Sequence, residues 1–336
     1  MKWGIIGLGH MAKNFANSIN ELEKSQLIGV SSRSLFKLIK FGYRFKIKPN
    51  NLFKNYKKLL SSDNIQNVYI GTLNHSHFEI IKEAINAGKN ILCEKPVTIN
   101  LEQVLEVREK LINSKVFFME GIAYRSHPQI NYIVKLIKQN AIGKIVKIKS
   151  CFGFNAGKPN KKGRLYNKDL GGGSILDLGC YPISISNLIA NLNNEKENLP
   201  LISKVKGELY ETGVDTDLYA ELKYPNGILS EIQISITKNL ENTTTIFGTD
   251  GVLNILDPWL PKKENIIKLK KSNKQKELNS SSNLSLFANQ IDVFEKLVKN
   301  KSLQSNFHSM SVDNSVNCMN ILMQLKKRIE NNEDCK

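Results

Sequence analysis

The sequence predicts an α/β protein: an N-terminal doubly wound parallel sheet, then an α+β domain on a large open, mainly antiparallel sheet. Three observations predict this. Over roughly the first 120 residues, short apolar runs alternate with helical patterns, as in repeated βαβ units. The first apolar run ends in Gly7-Leu8-Gly9-His10-Met11-Ala12, a glycine turn placed between a strand and a helix. Beyond Arg125 the texture changes to strands joined by tight turns, among them Tyr224-Pro225-Asn226-Gly227.

In the first part, strands are expected at Lys2–Ile6, Gln26–Ser31, Asn67–Gly71, Asn90–Cys93 and Val116–Met119. Val68-Tyr69-Ile70 and Ile91-Leu92-Cys93 are apolar throughout, which suits parallel strands buried on both faces. Helices are expected at Met11–Leu22, Ser34–Phe45, Tyr56–Leu60, His77–Ala87 and Leu101–Leu111, with Gly88 as a helix stop. In the second part, Ile130–Lys138 and Ile183–Leu192 read as helices. Ile145–Phe154, Ile202–Tyr210, Leu218–Tyr224, Ile228–Ile236, Thr244–Phe247 and Val252–Ile255 read as strands. Lys262–Ser282 is polar and rich in Ser and Asn, and a loop is expected there. Helical spacing of Val312, Val316, Met319 and Met323 supports closing helices at Ser285–Lys299 and Ser311–Ile329. The expected division is a dinucleotide-binding domain over 1–122 and a substrate-binding and oligomerisation domain over 123–336. The last helix, 311–329, can pack back on the first domain.

Lys and Arg number 48 against 31 Asp and Glu, a formal charge of +17 over 336 residues. The lysines are scattered rather than gathered on one stripe with aromatics, so no nucleic-acid partner is expected. No apolar run reaches the ~18 residues of a membrane span, and no signal peptide precedes the first strand. Neither a membrane partner nor export is expected. Cys93, Cys151, Cys180, Cys318 and Cys335 are odd in number and widely spaced. They form no metal-type pair, and they read as reduced thiols of a cytoplasmic protein with no metal site.

In the glycine turn, Gly7 permits the tight bend, Gly9 lets a pyrophosphate approach the backbone, and Ala12 lets helix and strand pack closely. The helix N-terminus adds N–H donors and partial positive charge for the phosphates. This is the context of a Rossmann dinucleotide-binding domain. A carboxylate ending the second strand would hold the ribose 2′-OH of NAD and repel a 2′-phosphate. The strand ends instead in Val30-Ser31-Ser32-Arg33-Ser34. Ser32 and Arg33 suit a phosphate dianion, so NADP is expected ahead of NAD. The bland alternative makes Arg33 a solvated loop residue and Ser32 or Ser34 a helix cap.

Two further βα junctions, Gly71-Thr72-Leu73-Asn74-His75-Ser76-His77 and Cys93-Glu94-Lys95-Pro96, lie at carboxyl ends of strands, where open α/β sheets bind ligands. Lys95 there can sit beside a nicotinamide or be one more surface lysine. Later, Gly171-Gly172-Gly173 leads into Asp177 and Tyr181, four apart and so on one helix face. They make a candidate acid/base pair; the alternative is a capping Asp177 and a core Tyr181. The stretches 155–168 and 257–283 would shape the substrate pocket and carry no readable signature.

Together these segments resemble the glucose–fructose oxidoreductase/inositol dehydrogenase/MocA (Gfo/Idh/MocA) family over nearly the whole chain. Met119-Glu120, Tyr124-Arg125-Ser126-His127-Pro128, Thr212-Gly213-Val214-Asp215 and Phe247-Gly248-Thr249-Asp250-Gly251 also match. Tyr181, where the family more often has His, is similar to the branch of dimeric dihydrodiol dehydrogenases and NADP-linked xylose dehydrogenases. The resemblance implies hydride exchange between NADP and a hydroxyl or carbonyl of a sugar, polyol or related small diol. Tyr181 would carry the hydroxyl proton, the Lys95 ammonium would favour its phenolate, and Asp177 would orient substrate and Lys95. Lys95 as the proton carrier, with Tyr181 as a binder, stays open. Arg125 joins these three as a substrate contact. Cofactor contacts fall to Gly7, Gly9, His10, Met11, Ala12, Ser32 and Arg33, and at the later junctions to Thr72, Asn74, His77, Glu94 and Lys95. The family's open sheet implies a homodimer or homotetramer, for which Ile228, Ile232, Ile234 and Ile236 would supply an apolar face. A non-catalytic NAD(P)-binding sensor on the same fold is the rival reading; the joint presence of Lys95, Asp177 and Tyr181 argues against it.

Overall fold

β1 (Lys2–Ile6) occupies the middle of a six-stranded parallel sheet. On one side lie β2 (Gln26–Ser31) and β3 (Leu52–Phe53), and on the other β4 (Asn67–Ile70), β5 (Asn90–Cys93) and β6 (Phe118–Glu120). The crossovers are α1 (His10–Ile19), α2 (Leu35–Arg44), α3 (Tyr56–Leu60), α4 (His77–Asn86) and α5 (Leu101–Ile112). The order β3-β2-β1-β4-β5-β6 is doubly wound, with its switch point between β1 and β4. The register sets Ile6 beside Ser31 and Ile70, Ile70 beside Cys93, and Cys93 beside Glu120. Each strand therefore delivers the residue after it to the same edge of the sheet. This computed structural model describes residues 1–194, 197–301 and 307–331, so Cys335 lies outside it.

The second unit begins with α6 (Pro128–Lys138) and β7 (Ile145–Gly153), followed by α7 (Cys180–Ala190). The chain then forms β8 (Leu201–Leu209), β9 (Asp215–Lys223), β10 (Leu229–Ser235), β11 (Thr243–Gly248), β12 (Val252–Leu256), β13 (Ile266–Lys271) and β14 (Lys274–Asn279). The sheet order is β14-β13-β12-β11-β7-β10-β9-β8, antiparallel throughout except for the parallel pair β7 and β10. Burial alternates along the strands. Ile148, Ala220, Ile232, Ile234, Ile246 and Ile267 are buried on one face, and α7 packs against β7 and β10. The opposite face carries Lys147, Lys149, Tyr219, Glu221 and Glu231, with Lys147 and Glu231 ion-paired at 2.6 Å.

Two expectations change here. Ile228, Ile232, Ile234 and Ile236 are at most 7% exposed and fill the inner core, so they supply no outward apolar face. The stretch expected as a loop, 262–282, contains the β13–β14 hairpin. Ile267 is buried in it while the lysines around it stay solvated, as suits strands near a sheet edge.

α8 (Leu286–Lys299) changes a third. The compact units are 1–126 with 284–316, and 127–283 with the residues from 317 onward, so α8 belongs to the first unit rather than the second. The reason is packing around Trp3. Phe294 lies 4.8 Å from the Trp3 ring and 5.0 Å from Phe117, ring centre to ring centre. Such pairs contribute about 0.5–1.5 kcal/mol each beyond their buried area. The buried Glu295 accepts from Trp3 Nε1 at 2.9 Å and from Ser25 Oγ at 2.6 Å. The last helix, α9 (Val312–Glu330), starts in the first unit and continues in the second. Among the described residues no helix is long and apolar enough to cross a membrane.

Candidate active site

The chain leaves β1 through Gly7, at φ +90°, and Gly7 N donates to Ser31 O at 2.9 Å. A Cβ on Gly7 would stand 2.7 Å from Thr72 Cγ2 and 2.8 Å from Gly71 O, so the bend tolerates only glycine. Gly9 then forms the N-cap of α1, with no side chain capping the helix and no acid in its first turn. A Cβ on Gly9 would meet only Gly71 O, at 4.0 Å. The leading N–H groups of α1 thus face a concavity that a side chain at position 9 would fill. Uncapped donors, the positive end of the helix and an open cradle fit a dinucleotide pyrophosphate. Ala12 is fully buried under the turn, Met11 is half-buried and His10 is exposed.

At the end of β2, Ser32 Oγ accepts from Ser34 N at 3.2 Å, and Ser34 Oγ accepts from Lys37 N at 3.4 Å as the cap of α2. Arg33 between them is exposed and hydrogen-bonds to nothing among the described residues.

The loop after β5 is held from both sides. Glu94 is buried; its Oε1 accepts from Tyr69 OH at 2.6 Å and its Oε2 from Lys95 N at 3.3 Å. Tyr69 in turn lies flat on Phe15, so the carboxylate is tied into the core. Lys95 is half-buried and precedes a cis bond to Pro96. Glu120, at the end of β6, accepts from Val97 N at 3.0 Å and from Ser315 Oγ at 2.6 Å, and burial raises its pKa above the usual carboxyl range. His77 is fully buried with Nδ1 at 2.9 Å from Pro96 O and Nε2 at 3.2 Å from Thr72 O. Burial lowers its pKa, so the ring is neutral and its single N–H serves one of the two carbonyls. Either way His77 links the third junction to the fourth; Asn74 between them is buried and Thr72 half-buried.

Arg125 is placed differently from the expected substrate contact. It is 2% exposed, and its guanidinium donates to Phe307 O at 2.9 Å and Ser309 O at 3.4 Å, with Met310 Sδ at 3.4 Å from Nη1. It anchors the 307–310 segment within the first unit.

In the second unit, the glycine run enters a π-turn over Ile175–Gly179 that continues directly into α7. A π-turn widens the helix by one residue and recurs at functional sites. Asp177 lies in that turn, 4% exposed, and accepts from Arg164 Nη1 at 2.8 Å. Tyr181 follows on the first turn of α7, half-exposed. Its ring meets Phe152 edge-on at 5.1 Å and Trp259 at 6.0 Å, and Phe152 and Trp259 stack at 5.7 Å. Trp259 is itself fixed by donating Nε1–H to Cys151 O at 2.9 Å. A phenol held among aromatic rings, beside a buried and ion-paired carboxylate, can orient a hydroxyl and exchange its proton.

Residues 1–122 match the description "Oxidoreductase family, NAD-binding Rossmann fold", and residues 130–254 match "GFO/IDH/MocA C-terminal domain". The chain belongs to the Gfo/Idh/MocA oxidoreductase family. It is 31% identical over 263 residues to a trans-1,2-dihydrobenzene-1,2-diol dehydrogenase of Mus musculus, covering 78% of this chain and 76% of that one. Identity to the Xenopus tropicalis enzyme of the same name is 32%, over 77% of each chain. An aldose–aldose oxidoreductase from Caulobacter crescentus, crystallised with glycerol, shares the fold at a TM-score of 0.88 and 18% identity, over 99% of this chain and 98% of that one. KijD10, a 3-ketoreductase from Actinomadura kijaniata in complex with NADP and TDP-benzene, shares it at 0.85 and 20% identity, over 97% of each. This Gfo/Idh/MocA member is an NAD(P)-dependent dehydrogenase or reductase, and its Rossmann unit binds the nicotinamide dinucleotide.

Within the Gfo/Idh/MocA site, sequence reasoning missed Arg164, Phe152 and Trp259. Phe152 was legible as a strand residue, but its neighbours Tyr181 and Trp259 come from a helix and from a loop far along the chain. Arg164 sits in a lysine-rich loop where nothing local marks it as the partner of Asp177.

Proposed function

We propose that this enzyme uses NADP to oxidise a hydroxyl, or reduce the corresponding carbonyl, on a sugar, polyol or related small diol, with Tyr181, Lys95 and Asp177 as its acid/base set. The observation that carries the reading is Tyr181, a phenol flanked by Phe152 and Trp259 and preceded in the same helical segment by the ion-paired Asp177. When bound, the nicotinamide supplies the two-electron exchange with the substrate carbon. Tyr181 Oη takes the hydroxyl proton during oxidation and returns it during reduction. The Lys95 ammonium favours the phenolate in that exchange, and the Asp177 carboxylate fixes the hydroxyl as an acceptor. Glu94 and Glu120 hold the loop that carries Lys95. Phe152 and Trp259 cover the apolar C–H face of the substrate and keep water from it. The diol named in the dihydrodiol dehydrogenase relatives supports a vicinal diol as the reacting group. NADP is favoured over NAD because Arg33 is exposed at the end of β2 with its donors uncommitted among the described residues.

Replacing Tyr181→Phe should lower turnover by roughly 100-fold or more while leaving dinucleotide affinity unchanged, since acid/base groups contribute about that much. Retained turnover in Tyr181→Phe, with loss in Lys95→Met, would hand the proton to Lys95. Sugars, polyols and diols screened with NADP and NAD provide the substrate readout. We further place the enzyme in the cytoplasm, because none of the four described cysteines is in a disulfide. A homodimer or homotetramer through the second sheet would use its charged open face, the isoleucines being internal. A monomer by light scattering at micromolar concentration overturns that assembly.

A further inference from the structure

We propose that Arg164 makes the site select an anionic substrate, its guanidinium receiving a carboxylate or phosphate on the same molecule whose hydroxyl Tyr181 serves; this rests on the dehydrogenase reading above. The guanidinium is lopsided in its surroundings. Nη1 is 2.8 Å from Asp177 Oδ1, and the Asp177 side chain is 6% exposed while that of Arg164 is 36% exposed. The other N–H donors of Arg164 bond to nothing among the described residues. An arginine presents its donors in a rigid planar fork, so the edge left over matches a carboxylate or phosphate in two parallel bonds.

The backbone brings that fork to the catalytic turn. A Cβ on Gly172 would stand 2.5 Å from Arg164 O and 2.7 Å from Leu165 O, and Gly173 N donates to Leu165 O at 2.9 Å. The segment carrying Arg164 is therefore clamped to the turn that leads to Asp177 and Tyr181, an approach only glycine at 172 allows.

Charge points the same way. Residues 155–168 contain Lys158, Lys161, Lys162, Arg164 and Lys168 and no acidic residue. Glu211, Asp177 and Glu330 offset Lys161, Arg164 and Lys168. Lys158 and Lys162 are exposed and pair with nothing among the described residues. Two uncompensated cations beside a half-open guanidinium attract an anion at a distance, an attraction a neutral polyol does not feel.

The test titrates glucose, glucuronate and glucose 6-phosphate into the NADP-loaded enzyme by calorimetry at low and high salt, and assays each for turnover. At least one anion should bind about tenfold tighter than glucose, with the advantage shrinking as salt rises. Glucuronate ahead identifies a carboxylate, and glucose 6-phosphate ahead a phosphate. Arg164→Gln should erase the advantage and Arg164→Lys should keep part of it. The double change Lys158→Gln/Lys162→Gln, confined to exposed side chains, should flatten its salt dependence. Equal affinity for the three probes, no measurable affinity for either anion, or an advantage untouched by Arg164→Gln overturns the proposal. Turnover of glucose without an anion advantage leaves the dehydrogenase reading standing and removes this one. An anion advantage in an enzyme that turns over no sugar, polyol or diol supports this proposal and removes the reading it rests on.

Discussion

The Asp215 carboxylate lies so close beneath Gly173 that a Cβ on residue 173 would collide with Oδ1. Its Oδ2 accepts from Ser174 Oγ at 2.7 Å and from Ile175 N at 2.5 Å, and burial raises its pKa above the usual range. Gly173 also has φ +104°, so alanine there is strained by both backbone and contact. Gly173→Ala is expected to cost about 2–4 kcal/mol in urea denaturation and to abolish turnover, because the turn ahead of Asp177 and Tyr181 must move. A cost under about 1 kcal/mol would mean that Asp215 does not set this turn.

Gly9 poses the opposite test. Its Cβ direction is open, so Gly9→Val should change stability by no more than about 1 kcal/mol while weakening NADP and NAD alike by tenfold or more. Unaltered titration curves for both dinucleotides would move the pyrophosphate away from α1.

Arg33 separates the two cofactors. Arg33→Ala should weaken NADP about tenfold or more and barely affect NAD, since only NADP carries the 2′-phosphate. Equal weakening of both in the same titration removes the 2′-phosphate contact.

His127 gives a pH dependence. Nδ1 accepts from Gln129 N at 3.1 Å at the head of α6, and burial pushes the ring from its ordinary 6.5 down to about 4. The unfolded ring therefore binds a proton more readily than the folded one. Its contribution to stability is complete above pH ~6.5 and is lost as pH falls toward about 4. The melting temperature should drop across that window, and His127→Asn, which keeps an accepting cap, should lessen the drop. An unchanged slope would assign it to other groups such as His308, which burial and the Arg125 charge also push down to about 4.

The first unit was legible because parallel strands buried on both faces leave unbroken apolar runs, and β1, β4 and β5 fall within a residue of where those runs put them. Period-two alternation found the strands of the second unit but not their orientation. It says that Ile228, Ile232, Ile234 and Ile236 share a face, and nothing local says that helices cover it. The β13–β14 hairpin was hidden because lysine-rich strands near an edge have the composition of a loop. Lys95, Asp177 and Tyr181 were readable as motif residues. The burial of Arg125 was not, because its partners Phe307, Ser309 and Met310 lie far along the chain.

Since Trp3 meets Phe294 and Glu295 in α8, the nucleotide-binding unit is written in two pieces with the second unit spliced between them. During translation its strands leave the ribosome first but wait for a closing layer made only after residue 284. A fragment cut at 126 emerges with the indole N–H of Trp3 stripped of its acceptor, whereas 1–126 fused to 284–316 carries every contact the unit makes with itself.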